Sequence, residues 1–364
     1  MVSGKDVLPE VRIAVIAITG RGAALGRKLC SHAAEFEMYV SDRYSAHTDY
    51  PCTPFKPNEL RSLINGLWKE YDGFILIMAT GIVVRIIAAL LESKETDPAV
   101  VVMDDGGRFA ISFLSGHLGG GNELAGRCAG ATGAVAVVTT ATDGNNLPSF
   151  DMLAKEQGWI IDDISRVKLL NTLLLDNEEI GVVDPTGKVR DQLHGRGTIT
   201  YHDSLAEAVS GDARGFLLVS NRLLSPEFNP EKVLVLRPRN LTLGIGCNRG
   251  TPADEIEEFV SGHLRELSLS LKSVCTIASV AAKRTEPGLI EYAKRLDVPF
   301  LCFENHELNQ IAFPSPPSEH ALAAVGVAGV AEPAALLASD GGRLLLKKVK
   351  SANVTLAVAE LRTE

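Results

Sequence analysis

Several common signatures are missing from this sequence, and each absence narrows the field. The six cysteines, at positions 30, 52, 128, 247, 275 and 302, form no CxxC and no pair with zinc-finger spacing. That excludes a cysteine metal clip and a disulfide scaffold. Residues 1–10 carry no apolar signal core, and Arg12 interrupts the first strand-like run. The expected compartment is therefore the cytoplasm, with free thiols. Basic residues are in short supply: 36 Lys and Arg face 45 Asp and Glu, a formal charge of −9. A general nucleic-acid binder needs the opposite balance, because phosphate backbones call for a basic face. No tandem repeat stands out. A spanning helix is missing too. Gly73 to Leu91 is 19 residues with a single charge, Arg85. A central Arg costs roughly 2.5–3.5 kcal/mol on insertion scales, and Thr80-Gly81 breaks the run. A buried strand, Phe74–Met78, followed by a buried helix, Ile82–Leu91, accounts for it better.

What is present is an ordinary globular composition, 46 % hydrophobic and 22 % charged over 364 residues. There is ample apolar surface to offset chain entropy, so disorder is excluded as the main state. The length suggests two or three domains. The pattern divides into 1–160, 161–237 and 238–364. The first part alternates short β-branched runs with helical spacing: Val11–Thr19, Gly22–Ala34, Met38–Val40, Glu59–Lys69, Val100–Met103, Phe109–Phe113, Asn122–Ala129 and a buried strand at Ala134–Val138. Asp104-Asp105-Gly106-Gly107 is a hairpin turn. The middle part shows a helix at Ser165–Leu175 and short strand-like pieces, with a turn at Asp184–Gly187, and Arg237-Pro238-Arg239-Asn240 reads as a linker. The last part resumes the alternation from Leu241, with Thr251 as the expected N-cap and Pro252 at the first helical position. The expected fold class is α/β: amino- and carboxy-terminal α/β domains with mainly parallel or mixed sheets, joined by a smaller α/β middle region.

Glycine is in mild excess, 33 residues or about 9 % against the usual ~7 %. Two strand-to-helix turns read G-x-G-x-x-x-G: Gly20–Gly26 and Gly244–Gly250. They are either tight turns that let helices pack on strands or anion sites at helix N-termini; Arg21 and Arg249 lie within them. The first, with Asp42 after the next strand, also admits a nicotinamide- or nucleotide-binding enzyme, although the turn is a residue longer than the dinucleotide fingerprint. Arg85 sits one turn into an apolar helix, near the positive end of its dipole, where a cation is disfavoured. The densest constellation is Ser115-Gly116-His117-Leu118-Gly119-Gly120-Gly121-Asn122-Glu123. It places a hydroxyl, an imidazole, an amide and a carboxylate around glycines at a helix start, whose free N–H groups can stabilise an oxyanion. The plainer alternative is a capped helix with a surface His. Thr139-Thr140-Ala141-Thr142-Asp143 follows the next strand. Ser279, Lys283, Glu286 and Gly288 read as a solvated loop. Cys247 is a weak nucleophile candidate, since no His lies near it in sequence.

These stretches resemble the cobalt-precorrin-5A hydrolases of anaerobic cobalamin synthesis. The resemblance rests on Met78–Arg85, Thr96–Val100, Ser115–Gly120 with Asn122–Ala125, Thr139–Asp143, Gly244–Cys247 with Arg249–Thr251, Glu286–Leu289 and Asn353–Thr355. Gly121 stands where the family usually carries Ala, and Ala281–Thr285 is less acidic than usual. The resemblance implies opening of a ring-A acetate lactone on a cobalt-containing tetrapyrrole, with expulsion of the former meso carbon as acetaldehyde. It implies no protein-bound cofactor or metal, because the cobalt comes with the substrate. His117 or Glu123 would supply the base, with Ser115 completing the catalytic set. Arg21, Arg85, Arg249 and Lys283 would bind substrate carboxylates. Thr80, Gly119, Gly120, Asn122, Thr140, Asp143 and Glu286 would complete the substrate contacts. The expected partner is this small molecule, with neither nucleic acid nor membrane; a homodimer and docking to neighbouring pathway enzymes remain open. A non-catalytic corrinoid-binding protein would keep the arginines and need no base.

Overall fold

A computed structural model describes residues 11–93, 96–117, 119–139, 149–193 and 197–362. The chain forms two compact units, Met1–Met152 and Leu153–Glu364.

The first unit is built on β1 (Ile13–Ala17), β2 (Phe36–Ser41), β3 (Thr53–Phe55), β4 (Gly73–Ile77), β5 (Ala99–Met103), β6 (Phe109–Leu114) and β7 (Val135–Val137). The seven strands lie in the order β3-β2-β1-β4-β5-β6-β7. β1, β4 and β5 are buried at every position. That is why they read as unbroken apolar runs: a parallel strand covered on both faces has no solvent side. Val15, Ala17, Ile75 and Ile77 pack on one face with residues of α1 (Gly20–Cys30) and α4 (Gly121–Thr132). Ala14, Ile16, Phe74 and Leu76 pack on the other with residues of α2 (Leu60–Leu67) and α3 (Thr80–Ile87). This is a doubly wound, three-layer arrangement.

Strand direction fixes where chemistry can gather. β1 pairs in parallel with both β2 and β4, so the chain order reverses between β1 and β4. β5 and β6 are antiparallel, with Met103 opposite Ala110 and Val100 opposite Leu114. The hairpin forms as the sequence indicates: Asp104 Oδ1 accepts from the N–H groups of Arg108 and Phe109, and Gly107 adopts φ +65°. β6 and β7 are parallel to each other and run against β5. Their carboxyl ends therefore lie at the opposite sheet edge from those of β1 and β4.

Two expectations for this unit need correction. Val135–Val137 is a short edge strand with Val135 59 % exposed, not a buried strand. α3 ends at Ile87 and leaves Ile82 37 % and Val84 47 % exposed, so only one of its faces is buried. Its shortness also moves Arg85 into the last turn, where the dipole favours a cation. The Gly73–Leu91 run divides into strand and helix as expected. No helix among the described residues is long and apolar enough to cross a membrane.

The second unit holds two five-stranded sheets. One contains β8 (Ile160–Ile161), β9 (Ile180–Val183), β10 (Ile199–Tyr201), β11 (Gly215–Val219) and β12 (Val233–Arg237); it is parallel except for β8. The other contains β13 (Leu241–Cys247), β14 (Val274–Val280), β15 (Phe300–Phe303), β16 (Arg343–Lys350) and β17 (Val354–Glu360). Here β13, β14 and β15 are parallel, and β17 runs antiparallel between β13 and β16. Gly244 lets β13 approach the helix Ala331–Ala338, since a Cβ there would lie 1.9 Å from the Ala331 carbonyl oxygen.

The expected linker at Arg237–Asn240 does join β12 of one sheet to β13 of the other, but it is not solvated. Arg237 ends β12 at 1 % exposure. Its guanidinium donates to the Ser220 and Arg222 carbonyls and to Asp162 Oδ2 at 2.6 Å. Asp162 also receives Lys272 Nζ at 2.9 Å. Asn221 Nδ2 donates to Asn240 Oδ1 at 3.0 Å and to Glu360 Oε1 at 2.7 Å. Proline and two charges suggested a solvated connection; backbone carbonyls and one carboxylate instead partner both terminal nitrogens of a buried guanidinium, while its Nε has no partner among the described residues. Thr251 is not an N-cap either. The helix starts at Ala253 with Pro252 as its cap residue, and Thr251 Oγ1 donates to the Asn248 carbonyl.

Candidate active site

The Ser115–Glu123 segment is the turn from β6 into α4. It closes on itself. Ser115 adopts φ +54° and Gly120 φ +84°. Gly121 N–H donates to Ser115 O, Asn122 N–H to Gly116 O and Gly120 N–H to His117 O, each at 2.9 Å. A Cβ on Gly119 would lie 2.4 Å from Ser115 Cβ, and one on Gly121 2.6 Å from Leu114 O. The glycines thus allow close approach, as expected, but the approach is of the chain to itself. The amides of Gly120, Gly121 and Asn122 are already engaged, which removes them as free oxyanion donors. Ser115 Oγ donates to Asp97 O at 2.9 Å, so its proton fastens the turn to the start of β5 and is not held by a base. Asn122 Oδ1 accepts from Ser112 Oγ at 2.6 Å. Glu123 is exposed in the first turn of α4.

His117 is neither a free surface His nor a core His. Its side chain is 17 % exposed, and Nδ1 lies 3.5 Å from Asp151 Oδ2. Asp151 stands in the first turn of α5 (Phe150–Glu156), and its side chain is 9 % exposed. Its Oδ1 accepts a hydrogen bond from Ser149 Oγ. Sequence reasoning missed Asp151. A serine followed two residues later by an acid at a helix start is commonplace capping, and nothing local ties it to a histidine 34 positions earlier. Thr140 and Asp143 lie outside the described residues.

Arg21, Thr80 and Arg85 belong to the other edge of the sheet. Thr19, at the end of β1, lies beside the β5–β6 hairpin, with Oγ1 3.5 Å from Asp105 Oδ2. The Ser115 turn is a full strand length away, about 15 Å for β5. The structure therefore does not bring these residues to His117. α1 starts at Gly20, and Gly22 N–H already donates to Thr19 Oγ1. Cβ atoms on Gly22 and Gly26 would lie 3.2 Å from Ile77 and 3.0 Å from Met38. Gly22 and Gly26 of the first glycine turn thus serve to pack the helix on the strands, the structural one of its two readings. Arg21 is exposed. Arg85 Nη1 donates to Gly81 O at 2.7 Å and remains exposed.

In the second unit, the carboxyl ends of β13 and β14 carry Cys247, Arg249, Lys283 and Glu286. The expected solvated loop is a buried ion pair: Lys283 Nζ to Glu286 Oε2 is 2.8 Å, with the side chains 15 % and 7 % exposed. Glu286 Oε1 accepts Gly250 N–H at 2.7 Å. Burial pushes the Glu286 carboxyl up, but the hydrogen bonds from Lys283 and Gly250 outweigh it and hold the carboxyl below the usual range. Lys283 is thus already matched by a carboxylate of its own chain. Burial keeps the Cys247 thiol above its ordinary value despite Lys283, which argues against a thiolate nucleophile. Arg249 is exposed beside this pair.

The fold and the site define an α/β protein in which an imidazole, backed by a buried carboxylate, stands at the carboxyl ends of two parallel strands, a setting for acid–base chemistry on a small molecule. In chain order the sequence matches the families described as Cobalamin synthesis G N-terminal (residues 62–143), Cobalamin biosynthesis central region (148–238) and Cobalamin synthesis G C-terminus (241–359). It is 36 % identical over 353 residues to the cobalt-precorrin-5A hydrolase of Priestia megaterium, spanning 95 % of this chain and 94 % of that one. It is 34 % identical over 356 residues to the cobalt-precorrin-5A hydrolase of Salmonella typhimurium, spanning 97 % and 98 %. The chain belongs to the cobalamin synthesis G family.

Proposed function

We propose that this protein is a cobalt-precorrin-5A hydrolase. It opens the ring-A acetate lactone and expels the former meso carbon with its methyl as acetaldehyde, leaving cobalt-precorrin-5B. The observation that carries this reading is the likeness, over nearly the whole of both chains, to the Priestia megaterium hydrolase.

The chemistry asks for a base that can take a proton and give it back. His117 is the residue suited to it. Water attacks the lactone carbonyl carbon as its proton passes to the imidazole. The ester C–O bond then breaks, and the departing oxygen takes the proton from the imidazolium. That oxygen is now a hydroxyl on the carbon to be lost. When its proton is removed, the C–O bond becomes C=O, the carbon–carbon bond breaks, and the electron pair stays with the macrocycle. One base serves both stages. Glu123, exposed in the first turn of α4, is the second candidate for proton transfer. Cobalt enters with the substrate, so the scheme calls for no metal held by the protein.

The substrate's acetates and propionates call for cations. Arg21, Arg85 and Arg249 are exposed and suited to bidentate carboxylate binding. Lys283 and Glu286 serve instead to fix the loop carrying Arg249. Thr80 belongs with Arg21 and Arg85, outside the reacting centre. We assign the protein to the cytoplasm; its six cysteines are all free.

The test is anaerobic incubation with cobalt-precorrin-5A, acetaldehyde being read through coupled alcohol dehydrogenase. The wild type should release acetaldehyde, and His117→Ala should be slower by roughly 10²–10⁴-fold. Release by the wild type no faster than without enzyme would sink the reading.

A further inference from the structure

We infer that Asp151 is a positioning residue for His117, holding the proton on Nδ1 so that Nε2 is left as the basic atom. The inference rests on the hydrolase reading for its consequence and on geometry for its content.

Asp151 is a carboxylate with 6 % residue exposure in a unit that offers solvent to most of its acids. Burying a carboxylate is costly unless it is partnered. Its two oxygens face different groups. Oδ1 accepts from Ser149 Oγ, two positions away on the same chain segment. Oδ2 faces the imidazole Nδ1 at 3.5 Å. A carboxylate that only capped α5 would have no reason to face a side chain from the β6–α4 turn. The turn is in turn fixed: Ser115 is fastened to Asp97, and Gly119 and Gly121 leave no room for a Cβ. Two independently braced elements therefore meet at the Nδ1–Oδ2 pair.

A carboxylate at Nδ1 accepts that nitrogen's proton and selects one neutral tautomer. Nε2 then carries the lone pair that takes the proton of the attacking water. The resulting imidazolium stands against a negative charge, and it returns the proton from Nε2 to the departing oxygen. Asp151 gains and loses no proton in the cycle. The 3.5 Å separation exceeds a normal N–H···O length; contacts of this kind tighten when substrate binds.

The test uses the full chain labelled with ¹⁵N-histidine, without substrate, the His117 signals being identified by comparison with His117→Gln. Wild-type His117 in its neutral form should carry its proton on Nδ1. In Asp151→Asn the proton should move to Nε2, because the amide can donate to Nδ1. With cobalt-precorrin-5A, Asp151→Asn should lower kcat by about 10²–10⁴-fold with KM little changed, and Asp151→Glu should recover part of the loss. A wild-type His117 protonated on Nε2 would overturn the inference, even if no variant folds. So would an Asp151→Asn protein with unchanged tautomer and unchanged kcat. The tautomer is read without substrate. A wild type with the Nδ1 proton and no acetaldehyde release would therefore sink the hydrolase reading and leave the positioning role standing.

Discussion

Single glycine positions decide whether the β6–α4 turn can form. Gly121 lies against Leu114 O and Ser112 Oγ, where a Cβ would sit at 2.6 and 3.1 Å. Backbone cannot retreat as a side chain can, so Gly121→Ala should cost about 1–3 kcal/mol. The loss would appear as a lower unfolding midpoint of the first unit; an unchanged midpoint would mean that the turn relaxes freely. Glu286 offers a prediction with a pH sign. A carboxyl held low in the folded state stabilises above its unfolded value, about 4.3, and that contribution disappears as pH falls through the folded value. Glu286→Gln should therefore be less stable than the wild type near neutrality, with the gap closing on acidification below about pH 4. A gap independent of pH would assign the loss to packing alone. His117 was legible in the sequence because serine, glycine, imidazole and amide crowd into a few consecutive residues. Asp151 was not, because only the fold brings it to Nδ1. The engaged state of the turn amides was equally hidden: a glycine count shows that backbone approaches something, and only the fold shows that the something is the same turn.

At the level of elements, the apolar runs mark the central strands β1, β4 and β5 to within a few residues, since buried parallel strands have little else to be, but the short edge strand β3 was not expected. Ser165–Leu175 falls where its pattern places it. The failures share a cause. Val135–Val137 has strand composition at an open edge, and α3 has apolar composition on an open face; composition reports what a residue is and not what covers it. Arg237 is the converse case, a charged residue at a buried strand end. Its removal should show how much the Asp162 pairing holds together. Arg237→Met should lower the stability of the second unit by about 3 kcal/mol, the low end for a broken buried pair, because Asp162 keeps Lys272. Denaturant unfolding measures it; a loss below half of that would mean the carbonyl and carboxylate contacts contribute little. The packing role of Gly22 and Gly26 carries its own test. Titration calorimetry with NAD and with NADP should show no binding heat, and saturable binding of either would restore the nucleotide reading of the first glycine turn.

For the whole molecule, the acidic balance and the substrate proposed for it look opposed and are reconciled locally. A chain of net charge −9 has no general attraction for a polycarboxylate. Arg21, Arg85 and Arg249 are exposed, whereas Lys283 and Arg237 are neutralised internally. Binding of such a substrate to exposed cations should therefore weaken with salt. The central claim is that a water molecule opens the lactone and a two-carbon fragment leaves. Mass spectrometry of the macrocycle after anaerobic incubation in ¹⁸O-water tests it most directly. The account predicts a product that has lost the elements of acetaldehyde and gained those of one labelled water, with the labelled oxygen in the freed ring-A acetate. A macrocycle of unchanged mass, matching the control without enzyme, would contradict it.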